Sequence, residues 1–382
     1  MASASKVVWG FPTKTWFGHG SVEQIAEAVR LAGGSKALIV TDPGLSGLPM
    51  IADMNRRLQK SGLGGDVFDR IGLNPSDADV NLGVGEVKKG GYDCVVAVGG
   101  GSALDCGKAI AFMANQTQPV AAYEDVPGEI PAANLENRIP VVAVPTTAGT
   151  GSEFGRASVI TDTSTHRKII VFHPSMMPDV VVLDPVLTVS LPRNLTAATG
   201  VDALSHSVES LCSPAFHPMA DGLATQAIRM IHGSLIPAWE DGSNLEARSS
   251  MLVASAMSCI TVQKGLGATH ALAHAVGGIY GTHHGLLINI LLPHVLRRNF
   301  DKISGRLSDL AYILHLDSAE AFVDWVEMLG RKMGLPRTLR EVGVESDAME
   351  RLAEIACRDP SGATNPVPFD MAYARQVLSD AF

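Results

Sequence analysis

Residues 92–102 read YDCVVAVGGGS, an apolar run that ends in three glycines and a serine. From Cys94 to Val98 there is no polar alternation, the pattern of a strand buried on both faces. The helix-forming stretch ALDCGKAIA follows, so the glycines read as a tight turn from strand into helix. The same order recurs around it. KALIVTDPG at 36–44, RIPVVAVPTTAGTGS at 138–152 and DVVVLDP at 179–185 read as further buried strands, each closed by glycine or proline. Helical patterns occupy 21–32, 47–61, 76–89 and 102–114. Strand and helix in alternation predict a parallel sheet covered by helices.

Beyond residue 192 the texture changes. Ala, Leu, Met and His recur at three- and four-residue spacings, and strand-like runs disappear. The chain of 382 residues is also longer than one hydrophobic core usually supports. The expected architecture is an α/β domain over 1–190 and an all-α domain over 191–382, packed across a cleft. A net charge of -9 with no basic stripe excludes a nucleic-acid binder. The longest apolar stretch, 286–296, is short and interrupted by Asn289, Pro293 and His294, so no membrane span is expected. The opening MASASKVVWGF has no apolar run after a basic start, and the five cysteines form no CxxC pair. Both point to reduced thiols and a cytoplasmic location.

Gly99, Gly100, Gly101 and Ser102 would open a helix with backbone amides free to meet a phosphate. They do not form the GxGxxG fingerprint, and alone they equally describe a plain turn. Asp105 and Lys108 follow at i and i+3; they read either as a surface ion pair or as groups at the mouth of the strand. The second loop, PTTAGTGSE at 145–153, places Thr146, Thr147 and Thr150 at another strand end. In open α/β sheets that edge is where ligands bind. Asp42, after the first clear strand, suits a ribose hydroxyl, although a turn aspartate before Pro43 is the plainer reading. Lys168 could meet a phosphate or lie solvated.

The helical half carries the histidines. Asp202 and His206 stand at i,i+4 in GVDALSHSVES, so they share one helix face. His270 and His274 repeat that spacing in GLGATHALAHAVGG. Gly277, Gly278 and Gly281 are expected to interrupt that helix, and the next is expected to run from about Leu286. His283, His284 and His294 complete the group. One histidine on an apolar helix is most simply a core residue, but burying several without partners is costly. A carboxylate with several imidazoles and no thiolate makes a divalent-metal set. Spacing alone leaves open which of His270 and His274 is the ligand, and which metal is held.

Together GGGSALDCGKAIA at 99–111, PTTAGTGSE, GVDALSHSVES, the block GLGATHALAHAVGGIYGTHHGLLINILLPHVLRRN at 265–299, the opening FPTKTWFGHGSVEQI at 11–25 and the ending TNPVPFDMAYARQVL at 364–378 resemble the iron-containing (group III) alcohol dehydrogenases. The resemblance covers essentially the whole chain. It implies a Rossmann-like dinucleotide-binding domain followed by a helical metal-binding domain, the dehydroquinate synthase-like plan. It implies NAD as cofactor and one divalent metal per chain, Fe(II) first and Zn as an alternative. The implied metal ligands are Asp202, His206, His270 and His284, with His274 relaying protons near the nicotinamide. Gly99, Gly100, Gly101 and Ser102 would hold the pyrophosphate, with Asp105 beside them on the new helix. Thr146, Thr147 and Thr150 would contact the cofactor, Asp42 would favour NAD over NADP, and Asn74 and Lys168 would lie on the cofactor side.

The implied reaction is hydride transfer between the nicotinamide and a small alcohol or aldehyde that the metal polarises. The implied partners are that small molecule and a second copy in a homodimer, through strands at 6–17. Relatives on the same plan define the alternatives: glycerol dehydrogenases, metal-free reductases such as maleylacetate reductases, and dehydroquinate synthase-like lyases. The chain departs from the family at Phe154-Gly155, where V-T is usual, and at His283 beside His284. The glycine is expected to leave space in the substrate pocket.

Overall fold

The computed structural model describes residues 13–126, 129–165 and 167–382. Its elements in chain order are β1 (Lys14–Phe17), α1 (Ile25–Ala32), β2 (Ala37–Val40), α2 (Pro43–Ser46), α3 (Pro49–Lys60), β3 (Gly64–Phe68), α4 (Asp77–Gly90), β4 (Cys94–Gly99), α5 (Gly101–Met113), β5 (Val141–Pro145), β6 (Ala157–Asp162), β7 (Arg167–Phe172) and β8 (Val180–Leu183). Helices alone follow: α6 (Arg193–Cys212), α7 (Pro218–Glu240), α8 (Leu245–Thr261), α9 (Ala268–Tyr280), α10 (His284–Ile313), α11 (Ala319–Lys332), α12 (Met349–Ala356) and α13 (Met371–Asp380).

The six-stranded sheet has the order β1-β8-β5-β4-β2-β3, and every neighbouring pair is parallel. Alternate residues of each strand face opposite layers. Ile39, Val96, Val98, Val142 and Val144 pack with Ile25, Val29, Ile51 and Met54 of α1 and α3. Leu38, Val40, Val95, Ala97, Val141 and Ala143 face the layer of α4 and α5. That second layer belongs to an apolar cluster continuing into α6, α7, α8 and α10. No single helix among the described residues is long and apolar enough to cross a membrane.

Register sets up the site. Gly99 pairs with Pro145, and Val40 with Ala97. The glycine loop, the 145–153 loop and Asp42 therefore emerge side by side at the carboxyl edge of the sheet. The helical half meets this edge at a close approach. Gly151 has φ +62°, and a Cβ there would lie 2.3 Å from Cys259 Cβ and 2.8 Å from the Ser255 carbonyl on α8. A side chain would push the two halves apart.

Three features differ from the expected elements. β6 and β7 form a separate antiparallel hairpin absent from the sequence reading. Ser158 and Asp162 are buried there while Val159 is half-buried, so hydropathy does not follow the pleat. Helix α9 runs through Gly277 and Gly278; only Gly281 adopts a left-handed conformation (φ +66°) and ends it. The next helix begins at His284 rather than Leu286. Of the dimer strand expected at 6–17, residues 6–12 lie outside the described residues, and Lys14–Phe17 is the sheet's edge strand.

Candidate metal and nucleotide centre

Helix α6 is buried continuously from Thr196 to Cys212, so its polar residues must find partners inside the protein. Asp202 and His206 lie one turn apart on it. They face His270 in the first turn of α9 and His284, the first residue of α10. Three imidazole Nε2 atoms surround one carboxylate oxygen, Asp202 Oδ1: His206 at 3.9 Å, His270 at 3.9 Å and His284 at 3.5 Å. Ligands about 2.1 Å from a shared tetrahedral ion stand about 3.4 Å apart, close to these separations. The candidate ligand atoms of Asp202, His206 and His270 lie within 4.8 Å of one another. His284 stands at the rim, its side chain 30% exposed. His283 is exposed at the N-cap of α10.

The electrostatics fit a cation. Asp202 Oδ1, His270 Nε2 and His206 Nδ1 are buried with no hydrogen-bond partner. Burial raises the Asp202 carboxyl above its ordinary value, although the nearby imidazoles pull it down. Burial, then the neighbouring imidazoles, hold His270 and His284 well below theirs, so both rings are neutral and able to donate a lone pair. Among the described residues no lysine or arginine pairs with Asp202 or with the adjacent buried Glu209. Orphaned donor atoms, neutral imidazoles and buried carboxylates without a countercharge form a set that a divalent ion completes.

His274 sits one turn after His270, with its ring stacked on His284 at 5.3 Å. Its Nδ1 is 2.9 Å from Asp359 Oδ2. Burial pushes Asp359 up, but the His274 imidazole and the bonds from His274 and Ser361 outweigh it and hold the carboxyl low. Glu209 and Asp359 were not singled out from sequence. Glu209 carries a signal, lying three residues after His206 on the same helix. Asp359 is 85 residues from His274 and carries none.

On the sheet side, Gly99 has φ +146°, and a Cβ there would meet Ala103 at 2.7 Å and Asp42 Oδ2 at 3.3 Å. A Cβ at Gly100 would lie 3.4 Å from Thr147 Cγ2, and at Gly101 2.8 Å from Thr150 Cγ2. Thr146 donates its N–H to the Gly99 carbonyl (2.9 Å). Helix α5 begins without a side-chain cap, which leaves its first amides to a ligand. Asp42 takes the plainer of its two expected roles, as a turn aspartate capping α2. Oδ1 caps α2 by accepting from Gly44 N (2.9 Å) and Leu45 N (3.1 Å), and Oδ2 faces Gly99. Ser102 Oγ donates to the Leu73 carbonyl (2.7 Å), and Lys168 Nζ donates to Asn74 Oδ1 (2.9 Å). Burial lowers the Lys168 ammonium, while Asp105 opposes the shift.

Asp105, expected either in a surface ion pair or at the mouth of the strand, is held by protein groups. Oδ1 accepts from Ser152 Oγ (2.5 Å) and lies 3.2 Å from Lys108 Nζ; Oδ2 accepts from Val159 N (2.9 Å). Its pair with Lys108 is buried rather than on the surface. Lys108 Nζ also donates to the carbonyls of Ser152 (3.0 Å), Gly155 (3.4 Å) and Ala157. This node ties α5 to the 145–155 loop and β6. At Gly155 a Cβ would make only ordinary contacts, so the site has room for a small side chain. A Cβ there would face the Ser152 carbonyl at 3.4 Å, Lys108 Nζ at 3.6 Å and Cys259 Sγ at 3.8 Å, and Phe154 is buried.

Known proteins share this arrangement. The model of the iron-containing alcohol dehydrogenases matches residues 12–185, and that of the family's C-terminal domain matches 196–382. The chain is 36% identical to alcohol dehydrogenase 4 of Saccharomyces cerevisiae over 384 aligned residues, covering 98% of this chain and 99% of that one. It superposes on the crystal structure of a 1,3-propanediol oxidoreductase with a TM-score of 0.94 at 34% identity, covering 99% and 100% of the two chains. Sulfoacetaldehyde reductase from Bifidobacterium kashiwanohense, solved in complex with NAD+, matches with a TM-score of 0.87 at 27% identity, over 98% and 99%. Both halves match in the order that brings sheet edge and histidines together, and the chain belongs to the iron-containing alcohol dehydrogenase family.

Proposed function

We propose that this oxidoreductase interconverts a small alcohol and its aldehyde, using NAD and one divalent metal ion per chain, Fe(II) in preference to Zn. The observation that carries the reading is the buried Asp202–His206–His270 group, with unpartnered donor atoms, in a chain whose sheet edge carries two nucleotide-type loops. In this reading residues 1–190 bind the dinucleotide and residues 191–382 hold the metal with Asp202, His206, His270 and His284. Bound there, the ion would act as a Lewis acid toward the substrate oxygen, and the nicotinamide would accept or return hydride.

The chain's own residues supply position and proton control. Gly99, Gly100, Gly101 and Ser102 offer uncapped amides to the pyrophosphate, with Thr146, Thr147 and Thr150 beside them. Asp42 Oδ2 would accept from a ribose hydroxyl and repel a 2′-phosphate. Asn74 and Lys168, paired with each other, flank the same loop. Asp105 acts through Ser152 and Lys108 to hold the loops in place. With Nδ1–H of His274 directed at Asp359, Nε2 is the atom left to take a proton. We also propose a homodimer through the β1 edge and a cytoplasmic location, the latter supported by five unpaired cysteines. The test is NADH absorbance over a panel of short alcohols, diols and aldehydes, with protein stripped of metal and reloaded. Stoichiometric NADH from an alcohol supports the reading; NADH binding without turnover in any metal form contradicts it.

A further inference from the structure

We propose that Glu209 is a positioning residue for the metal centre: its carboxylate fixes the tautomer of His270, so that Nε2 presents a lone pair to the ion. The inference rests on the metal reading above and concerns a residue outside the ligand set. Glu209 is 5% exposed on α6, one turn after His206. Its Oε1 accepts from the backbone N–H of Thr269 at 2.7 Å, and its Oε2 lies 2.5 Å from His270 Nδ1.

Thr269 is in the first turn of α9, where backbone N–H groups have no partner within the helix. That N–H obliges one Glu209 oxygen to accept. As the ionised carboxylate that a neighbouring cation favours, Glu209 has only acceptors to offer, so the second oxygen takes the proton on Nδ1. A neutral imidazole with Nδ1–H carries its lone pair on Nε2. Nε2 of His270 is the unpartnered buried atom 3.9 Å from Asp202 Oδ1. One side chain thus anchors the first turn of α9 and sets the ring on that turn for ligation, as partners of metal-bound histidines do.

A carboxamide cannot do both. If the Oε1 of a glutamine accepts from Thr269, its NH2 faces Nδ1 and drives the ring to the Nε2–H tautomer, which cannot ligate. Turned over, its NH2 faces the Thr269 N–H. The experiment titrates Co(II) into metal-stripped wild type, Glu209→Gln and Glu209→Asp, reading the visible Co(II) spectrum, with NADH affinity and thermal melting measured alongside. The expected result is Co(II) affinity lowered about 10–100-fold in Glu209→Gln with NADH affinity unchanged, and a smaller loss in Glu209→Asp, which keeps both acceptors. Wild-type Co(II) affinity and spectrum in Glu209→Gln would overturn the proposal. A wild type that takes up no Co(II) would instead overturn the metal reading beneath it. Should Glu209→Gln fail to fold, nitrogen NMR of histidine-labelled, metal-free wild type decides: Nδ1–H on His270 is expected, and Nε2–H overturns the proposal.

Discussion

The Asp105–Lys108 node and the Asp202–histidine node both bury charge in an apolar interior, yet they close differently. At the first, the ammonium meets three carbonyls and a carboxylate, and both carboxylate oxygens accept from protein donors. At the second, Asp202 Oδ1 and His270 Nε2, which face each other at the shared centre, are left without partners. Unpaired buried polar atoms cost free energy that a satisfied node does not lose. A closed node therefore reads as architecture and an open one as a place for a ligand. Asp202 sits where the chain withholds a countercharge; Asp105 sits where it supplies one.

The strongest way to break this contrast is to remove charge from each node in turn. Asp202→Asn should abolish retained metal and lower turnover about 10^3-fold or more, the loss of several kcal/mol of electrophilic stabilisation. The metal-free variant should melt no lower than metal-free wild type, because a buried, unpaired charge has gone. Lys108→Met should do the opposite. Stranding Asp105 costs about 3–5 kcal/mol, and melting should fall by roughly 2–4 °C per kcal/mol. NADH binding should weaken as the loops loosen, while metal content by elemental analysis stays at the wild-type level. Equal melting losses in the two variants would erase the distinction.

Two smaller effects sharpen it. His274→Ala should lower kcat about 10^2-fold, the usual scale for one acid–base group, with metal content intact. Loss of metal in that variant would make His274 a ligand instead. The smallest effect concerns Glu153, an open carboxyl beside the closed node: it is buried, and its Oε1 has no partner. Burial, opposed by Lys108, pushes its carboxyl from 4.5 up to about 7. Between those values the folded state holds a proton that the unfolded state has released. Its stabilising contribution is thus complete below pH 4.5 and lost as pH rises through about 7, by about 1.4 kcal/mol per pH step. Glu153→Gln removes this term, so its melting temperature should gain on wild type by a few degrees across that window. A constant difference across the window would contradict the assignment.

The two nodes were unequally legible in the sequence. The histidine group announced itself through i,i+4 spacing on small-residue helices, and Glu209 lies within the same periodic reach. Strands β4 and β5 were legible because unbroken valine runs signal burial on both faces. The closed node was not. Asp105 and Lys108 look like an ordinary surface pair until β6 and the 152–157 carbonyls fold over them, and β6 hides its pleat by burying Ser158 and Asp162. Asp359 meets His274 only through the fold of the last helices. Local periodicity reports which face of an element is special; what covers that face is a tertiary fact.

The most direct test strips wild-type protein with a chelator, confirms metal removal by elemental analysis, and titrates Fe(II) or Zn(II) back while following NADH formed from an alcohol substrate. Turnover should vanish on stripping and return in proportion to bound ion, reaching its plateau at one ion per chain. Full turnover in protein shown to be metal-free would contradict the claim that the open node at Asp202 exists to hold a metal.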